Sequence, residues 1–247
     1  MACLNSYNVN MNMTIRIPIF AVVVCFVALP GWSQQQQVLK PLRGKPIVLF
    51  DGSSLDGWVK RDGSKPENWV VEDGTLYREK GGGDLYHQDW YRDFELSFEW
   101  KLQKKGNSGV KYRVRQYGKR MLGCEYQLQD DQNRPFNRRA TGALYAVYEP
   151  GKNKKSNPVG SWNTSKIIVS GNKIEHWLNG EKVVDADVAS QDWIDRVQGS
   201  KFRNNTTAGS AFGEHREGRI FLQDHGDPVW FRNIVVVPLD SDVQTYQ

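Results

Sequence analysis

Cysteine is scarce in this chain, and so are long apolar runs and helical periodicity. Only three cysteines occur in 247 residues, and Cys3 and Cys25 both precede residue 30. If that N-terminal stretch is removed, Cys124 stands alone. One thiol cannot form an intrachain disulfide, so the core must hold without covalent staples. No Cys/His spacing of the zinc-binding kind is present. Cys124 lies in a strand-like pattern and reads as a small buried thiol rather than a nucleophile. There is no Gly-x-Ser-x-Gly elbow, which leaves Ser/His/Asp catalysis without support. The run Gly81-Gly82-Gly83 is followed by neither a helix pattern nor Lys-Ser/Thr, which excludes a phosphate loop. The chain shows no internal repeat and no linker. Its one helical stretch is Ser190–Gln198, with Ser190 placed as N-cap and Asp192 in the first turn.

The single apolar run, Ile15–Leu29, is interrupted by Arg16 near its start. Gly31 and Ser33 supply small residues at the −3 and −1 positions of a cleavage site, which completes a signal peptide over residues 1–33. The run falls short of the about 20 apolar residues a membrane span needs. The expectation is an exported protein with no transmembrane segment once processed, in the periplasm or cell envelope or secreted. A retained anchor is the alternative. Residues 34–46, with the glutamines Gln34–Gln37 and flanking prolines, are expected to form a flexible leader ahead of one domain over 47–247.

The formal charge is +5, and removal of the leader segment takes away Arg16 and no acid. Lys and Arg are spread among acids, with the densest runs at Lys101–Arg120 and Lys152–Lys155. That alternation is the solvent face of strands, and with export it excludes a nucleic-acid partner.

What the chain has in quantity is aromatic residues and glycine: nine Trp, ten Tyr, ten Phe and 23 Gly. Short strands joined by tight turns use these types, and helical bundles do not. Ile47–Phe50 is a strand ended by Asp51-Gly52. Asp73-Gly74 joins strands at 68–72 and 75–78, and Asn179-Gly180 joins 173–178 to 182–187. Phe94, Leu96, Phe98 and Trp100 alternate with polar residues and predict a half-buried strand over 94–102. Gly106–Gly109 is expected to turn the chain. Val110, Tyr112 and Val114 then alternate with Lys111, Arg113 and Arg115, and Cys124, Tyr126 and Leu128 with Glu125, Gln127 and Gln129. Residues 132–163 read as a long loop, which in a compact domain is usually functional. About a dozen strands and one short helix make the fold class all-β, an antiparallel jelly-roll sandwich.

Three polar groupings could carry chemistry. The first is the corner Gln223-Asp224-His225-Gly226, set between an apolar strand and the Trp230-Phe231 strand. Amide, carboxylate and imidazole groups beside aromatic faces suit a sugar, whose hydroxyls need bonding and whose ring stacks. A turn aspartate bonding its own backbone would give the same pattern. The second is the pair of polar rows from Lys111 and from Glu125, Gln127 and Gln129. A solvated sheet face also alternates this way, but the acidic row runs on into Asp130-Asp131. Carboxylates gathered at a sheet end could hold a divalent cation or share acid/base work. The third is His176 beside Trp177, on the side of Ile174 and Leu178. A lone strand histidine is more often structural.

Eight ordered segments resemble one bacterial family, the 3-keto-disaccharide hydrolases. They are LFDGSSLDGW (49–58), WVVEDGTL (69–76), DFELSFEWKL (93–102), GNSGVKYRV (106–114), GCEYQLQDD (123–131), TGALY (141–145), WNTSKIIVSGNKIEHWLNG (162–180) and LQDHGDPVWFRNI (222–234). The resemblance implies a concanavalin-like sandwich in the cell envelope and cleavage of glycosides oxidised to a ketone at C3. Such a ketone acidifies the C2 proton. A base removes it, the leaving group departs from C1, and water adds to the new double bond. The chemistry needs a base, an acid and a group to steady the enolate. Glu125 and His225 are the candidate base and acid, in either order. Lys111, Gln127, Asp130 and Asp131 would orient sugar or stabilise charge. Asn107, Trp162, Asn163, His176, Gln223 and Asp224 complete the candidate substrate contacts. No cofactor is required outright, and a divalent cation is the one ligand ion the carboxylates could take. The competing reading is a non-catalytic carbohydrate-binding module on the same fold. A retaining glycosidase is a third, and would need two carboxylates about 5–5.5 Å apart. Nothing in the sequence sets the oligomeric state.

Overall fold

In the computed structural model the described residues are 40–78, 81–207 and 210–245. The expected signal peptide (1–33) and residues 34–39 of the leader lie outside them. In chain order the strands are β1 (Lys40–Arg43), β2 (Ile47–Phe50), β3 (Trp58–Val59), β4 (Trp69–Glu72), β5 (Thr75–Arg78), β6 (Leu85–Tyr91), β7 (Phe94–Leu102), β8 (Asn107–Tyr117), β9 (Arg120–Gln129), β10 (Asn163–Ser170), β11 (Lys173–Leu178) and β12 (Glu181–Asp187). The helix α1 (Gln191–Gln198) follows, then β13 (Thr206–Thr207), β14 (Ser210–Ala211), β15 (Gly218–Leu222) and β16 (Val229–Thr245). No helix among the described residues is long and apolar enough to cross a membrane.

Local chemistry sets most of these boundaries. Asp73-Gly74 and Asn179-Gly180 carry positive φ at both residues, 49° and 69°, then 48° and 87°. That is the primed-turn geometry whose twist matches a two-residue hairpin, and Asp-Gly and Asn-Gly adopt it most readily. β7 alternates buried and half-buried along its whole length. Ser190 caps α1, accepting from the Trp193 N–H at 3.1 Å, and Trp193 and Val197 form its buried face.

Apart from the separate β13–β14 hairpin, the strands make an all-antiparallel sandwich of two sheets, as expected. One sheet runs β12-β11-β10-β7-β16-β5-β4, with β1 and β2 also paired to β16. The other runs β3-β6-β15-β8-β9. Between them lie Leu96, Phe98 and Trp100 from β7 and Tyr112, Cys124, Tyr126 and Leu128 from β8 and β9. Phe98 meets Tyr126 edge-on at 5.6 Å, and Phe94 meets Tyr112 at 6.2 Å. Each such ring contributes about 1.5–3 kcal/mol by leaving water. Cys124 is fully buried, and burial pushes its thiol up to about 12, which keeps it protonated.

His176 belongs to this core. Its ring is fully buried and sits between Tyr112 and Tyr126. Nδ1 lies 3.0 Å from the Gly142 carbonyl, so Nδ1 carries the proton and Nε2 accepts from the Tyr112 hydroxyl at 2.8 Å. Burial lowers its pKa to about 4.

Three expectations change. The leader is not free throughout, because residues 40–43 pair with β16 as β1. The turn before β8 ends at Gly106 rather than running to Gly109. Lys105 takes the left-handed conformation (φ 63°), and its N–H is fixed by the Asp130 carboxylate at 2.7 Å. The period-2 pattern of β8 breaks at Arg113, which has φ 51° and lies in a bulge between Tyr112 and Arg115. The extra residue turns Arg113 away from Lys111, onto the Gly171 carbonyl at 2.8 Å. Val114 then joins Tyr86 and Phe221 in a small separate apolar cluster.

The long segment after β9 is ordered by backbone pairing. The Gln127 N–H reaches the Ala143 carbonyl at 3.1 Å, and the Tyr145 N–H reaches the Glu125 carbonyl at 3.0 Å. Residues 142–145 therefore cover the free edge of β9 and bring Tyr145 beside Glu125.

Candidate active site

β8 and β9 place Lys111 directly opposite Glu125, and Gly109 opposite Gln127. With Tyr112, Cys124 and Tyr126 in the core, these residues face the other way, out of the sandwich. Lys111 Nζ stands 3.4 Å from Glu125 Oε2. Gly109 is what lets the carboxylate lie flat, since a Cβ there would come within 2.9 Å of Glu125 Oε1. Gln127 Nε2 donates to Asn107 Oδ1 at 2.8 Å.

β15 extends the floor on the other side of β8. The Gln223 N–H donates to the Gly109 carbonyl at 2.8 Å, and the Ser108 hydroxyl to the Gln223 carbonyl at 2.8 Å. These bonds continue the ladder past the strand end and fix Gln223 beside Lys111. Its Oε1 is buried with no hydrogen-bond partner among the described residues. Lys111 also packs over the Phe221 ring at 4.9 Å.

The walls come from elsewhere in the chain. After α1 ends at Gly199, the chain turns and sets Lys201 over the Tyr145 ring at 4.1 Å. His225 stands exposed at the mouth. Together these side chains enclose a polar hollow of about 150 Å³, which also takes in Arg120 and Phe202.

The electrostatics follow from this enclosure. Burial pushes the Glu125 carboxyl above its ordinary value, and the attraction of Lys111 and Lys201 only partly opposes it. The result is a carboxylate more basic than one in water and flanked by cations. Asp84, nearby, is also raised, again mainly by burial.

Asp224 supports the corner rather than lining the hollow. Its carboxylate pairs with buried Arg78 and accepts the N–H of Gly83 (2.9 Å) and of Gly226 (2.9 Å). It thereby fixes the turn that carries His225.

Glu125, Lys111, Gln127, Asn107, Gln223 and His225 thus border one hollow. The other candidates do not join them. Asp130 accepts the backbone N–H groups of Lys105 and Gln132, and Asp131 accepts that of Thr141 while pairing with Lys154. Both border a different hollow of about 470 Å³, together with Asn163. Asn163 Oδ1 is itself taken up by the Asn157 N–H and the Asn179 amide. Trp162 packs against Lys101 (5.0 Å) and Arg232 (4.1 Å) on the nine-stranded sheet. His176 is in the core. No three His, Cys, Asp or Glu side chains converge among the described residues. The carboxylates expected to hold a divalent cation are spent on backbone N–H groups and Lys154.

Lys201 and Tyr145 escaped the sequence reading. Tyr145 lies within the TGALY segment, but nothing local marks it as a contact. Lys201 follows a helix end and resembles any solvated lysine.

Residues 45–237 match the profile of the 3-keto-alpha-glucoside-1,2-lyase-like domain. A 3-keto-disaccharide hydrolase of Bacteroides thetaiotaomicron is 32% identical, with 78% of each chain covered. Among solved structures, a candidate glycosyl hydrolase of Parabacteroides distasonis is 34% identical with a TM-score of 0.70, covering 79% of this chain and 94% of that one. A second from the same organism is 28% identical with a TM-score of 0.59, covering 79% and 100%.

Proposed function

This chain belongs to the 3-keto-alpha-glucoside-1,2-lyase-like family, and from that premise we propose that it cleaves glycosides already oxidised to a ketone at C3. The observation that carries the reading is a buried, basic-leaning carboxylate, Glu125, set between the ammonium groups of Lys111 and Lys201. A conventional glycosidase works with two carboxylates across the bond. The hollow around Glu125 is lined by one carboxylate and several cations instead. That set suits a reaction in which a proton leaves carbon and negative charge collects on a ketone oxygen.

Glu125, at the floor, takes the C2 proton. The C2–H electron pair moves onto the C3 oxygen, and Lys111 and Lys201 stabilise that enolate. The carbonyl then re-forms, the C1–O bond breaks, and His225 gives its proton to the leaving oxygen. His225 suits this second role because it stands at the open mouth, where the leaving group departs. Water adds at C1 and a proton returns to C2, giving the free 3-keto sugar. Gln223 Oε1, Gln127 and Asn107 supply hydroxyl partners for the ring.

The test is incubation of the purified protein with a 3-keto-glucoside and with its unoxidised parent, with and without EDTA. Release of the leaving group from the keto form alone supports the reading, and the EDTA arm decides whether a metal takes part. Binding of both sugars with release from neither would move the assignment to a carbohydrate-binding module. We also propose that residues 1–33 direct export. Recovery of a processed protein from the periplasm or medium of an expressing cell would support this, and retention of the full chain in the cytoplasm would count against it.

A further inference from the structure

The hollow around Glu125 opens into a larger cleft of about 820 Å³, and Lys111, Arg120 and Leu122 line both. The two spaces differ in size and charge. The first is about 150 Å³. The second is several times larger and is bordered by five cations: Lys60, Arg61, Lys111, Lys119 and Arg120.

Two carboxylates, Asp62 and Asp84, border the same cleft, and among the described residues neither forms an ion pair with its cations. Asp62 is turned onto the N–H (3.0 Å) and hydroxyl (2.6 Å) of Ser64. Asp84 accepts the Asp224 N–H at 2.9 Å, and burial raises its pKa. Lys111 is paired with Glu125, and Lys60 lies 3.6 Å from exposed Glu67. Among the described residues no carboxylate pairs with Arg61, Lys119 or Arg120. The Arg61 guanidinium donates to the Lys119 carbonyl at 3.3 Å. That bond draws Arg61 toward the β8–β9 turn and gathers three uncompensated cations on one rim. In a chain whose acids and bases are otherwise interspersed, such a gathering focuses positive potential on the cleft.

We propose that this cleft is the leaving-group subsite and that it takes a leaving group bearing an anion: carboxylate, sulfate or phosphate. The inference rests on the proposed cleavage and names the substrate class of that site. The large cleft meets the hollow at Lys111, Arg120 and Leu122, and on its other side the Gly83 N–H is tied to Asp224, next to His225. A leaving oxygen protonated by His225 is thereby directed into the cationic space.

Binding and turnover separate the two ideas. Binding is measured with unoxidised 4-carboxyphenyl glucoside and its isosteric neutral partner, 4-carbamoylphenyl glucoside. Turnover is measured with the 3-keto forms of both. The carboxylate is expected to bind about fivefold tighter, the sum of two or three screened charge pairs. That preference should vanish at about 1 M NaCl, where the Debye length is ~3 Å. It should also vanish in the double variant Arg61→Gln, Lys119→Gln. Sulfo- and phosphophenyl glucosides then sort the anion classes. Equal binding of the charged and neutral glucosides by the native protein, or binding of neither, overturns the subsite. A preference unmoved by salt or by the double variant overturns it as well. A charge preference in binding with no turnover of either keto form leaves the subsite standing and overturns the cleavage.

Discussion

Lys111 Nζ and Glu125 Oε2 face each other across the β8–β9 ladder at 3.4 Å, both largely withdrawn from water. The pair places a basic carboxylate and a fixed cation at one point, and removing either member has a distinct signature. Glu125→Gln keeps the shape and loses the base, so kcat on a 3-keto-glucoside should fall by about 10²–10⁴-fold with little change in melting temperature. Retained activity would remove Glu125 from the chemistry.

Lys111 holds down a carboxyl that burial pushes up. Lys111→Met removes that restraint, so the Glu125 pKa rises further. A base works when deprotonated, so the acid limb of the kcat/KM profile should lie above the ordinary glutamate range in the native protein. It should move to still higher pH in the variant. A downward or absent shift would contradict the pairing.

Gly109 makes room for Glu125 Oε1. Gly109→Ala forces a methyl against the carboxylate and should cost about 1–3 kcal/mol of stability. It should also lower kcat/KM about tenfold, because small displacements of a reacting group are expensive. Calorimetry and kinetics on the same preparation check both parts.

His176 gives a pH dependence of stability. Its pKa is about 4 in the fold against 6.5 for the free side chain. The unfolded chain therefore binds a proton first as pH falls. Stability from a neutral buried ring is complete above pH 6.5 and is lost as pH falls toward about 4, by about 3 kcal/mol at most. His176→Gln should be less stable at neutral pH and should lack this portion of the acid sensitivity, as read by urea titrations between those pH values.

Trp162 and Asp224 separate support from chemistry. Trp162→Ala loses two cation–π contacts, about 1 kcal/mol, and should leave kcat/KM unchanged. Asp224→Ala strands the buried Arg78 guanidinium and should cost about 3–5 kcal/mol. Loss of activity in Trp162→Ala, measured on folded protein, would return that residue to the site.

Much of the architecture was legible from local signals. β7 falls where the apolar alternation puts it, β2 where the apolar run before Asp51-Gly52 does, and the Asp73-Gly74 and Asn179-Gly180 hairpins where the turn residues do. Ser190 caps the helix it was expected to cap. These features depend on neighbours a few residues apart, which sequence displays directly. Arg113 shows where the rule gives out. A bulge inserts one residue and reverses the faces beyond it, and no side-chain pattern announces it.

The sequence by itself determined the class of fold, the strand pairs closed by short turns and the side chains able to move protons. Those follow from backbone period, turn sterics and functional-group chemistry, all carried by short stretches of chain. Only the tertiary structure decided which of those side chains meet. Lys111 and Glu125 face each other through strand register, and Lys201 and Tyr145 arrive from loops far along the chain. His176 and Trp162, equally eligible by type, are drawn into the core and onto the other sheet. Contact and desolvation depend on three-dimensional neighbours, and those decide whether a carboxylate is buried beside cations or fastens a turn.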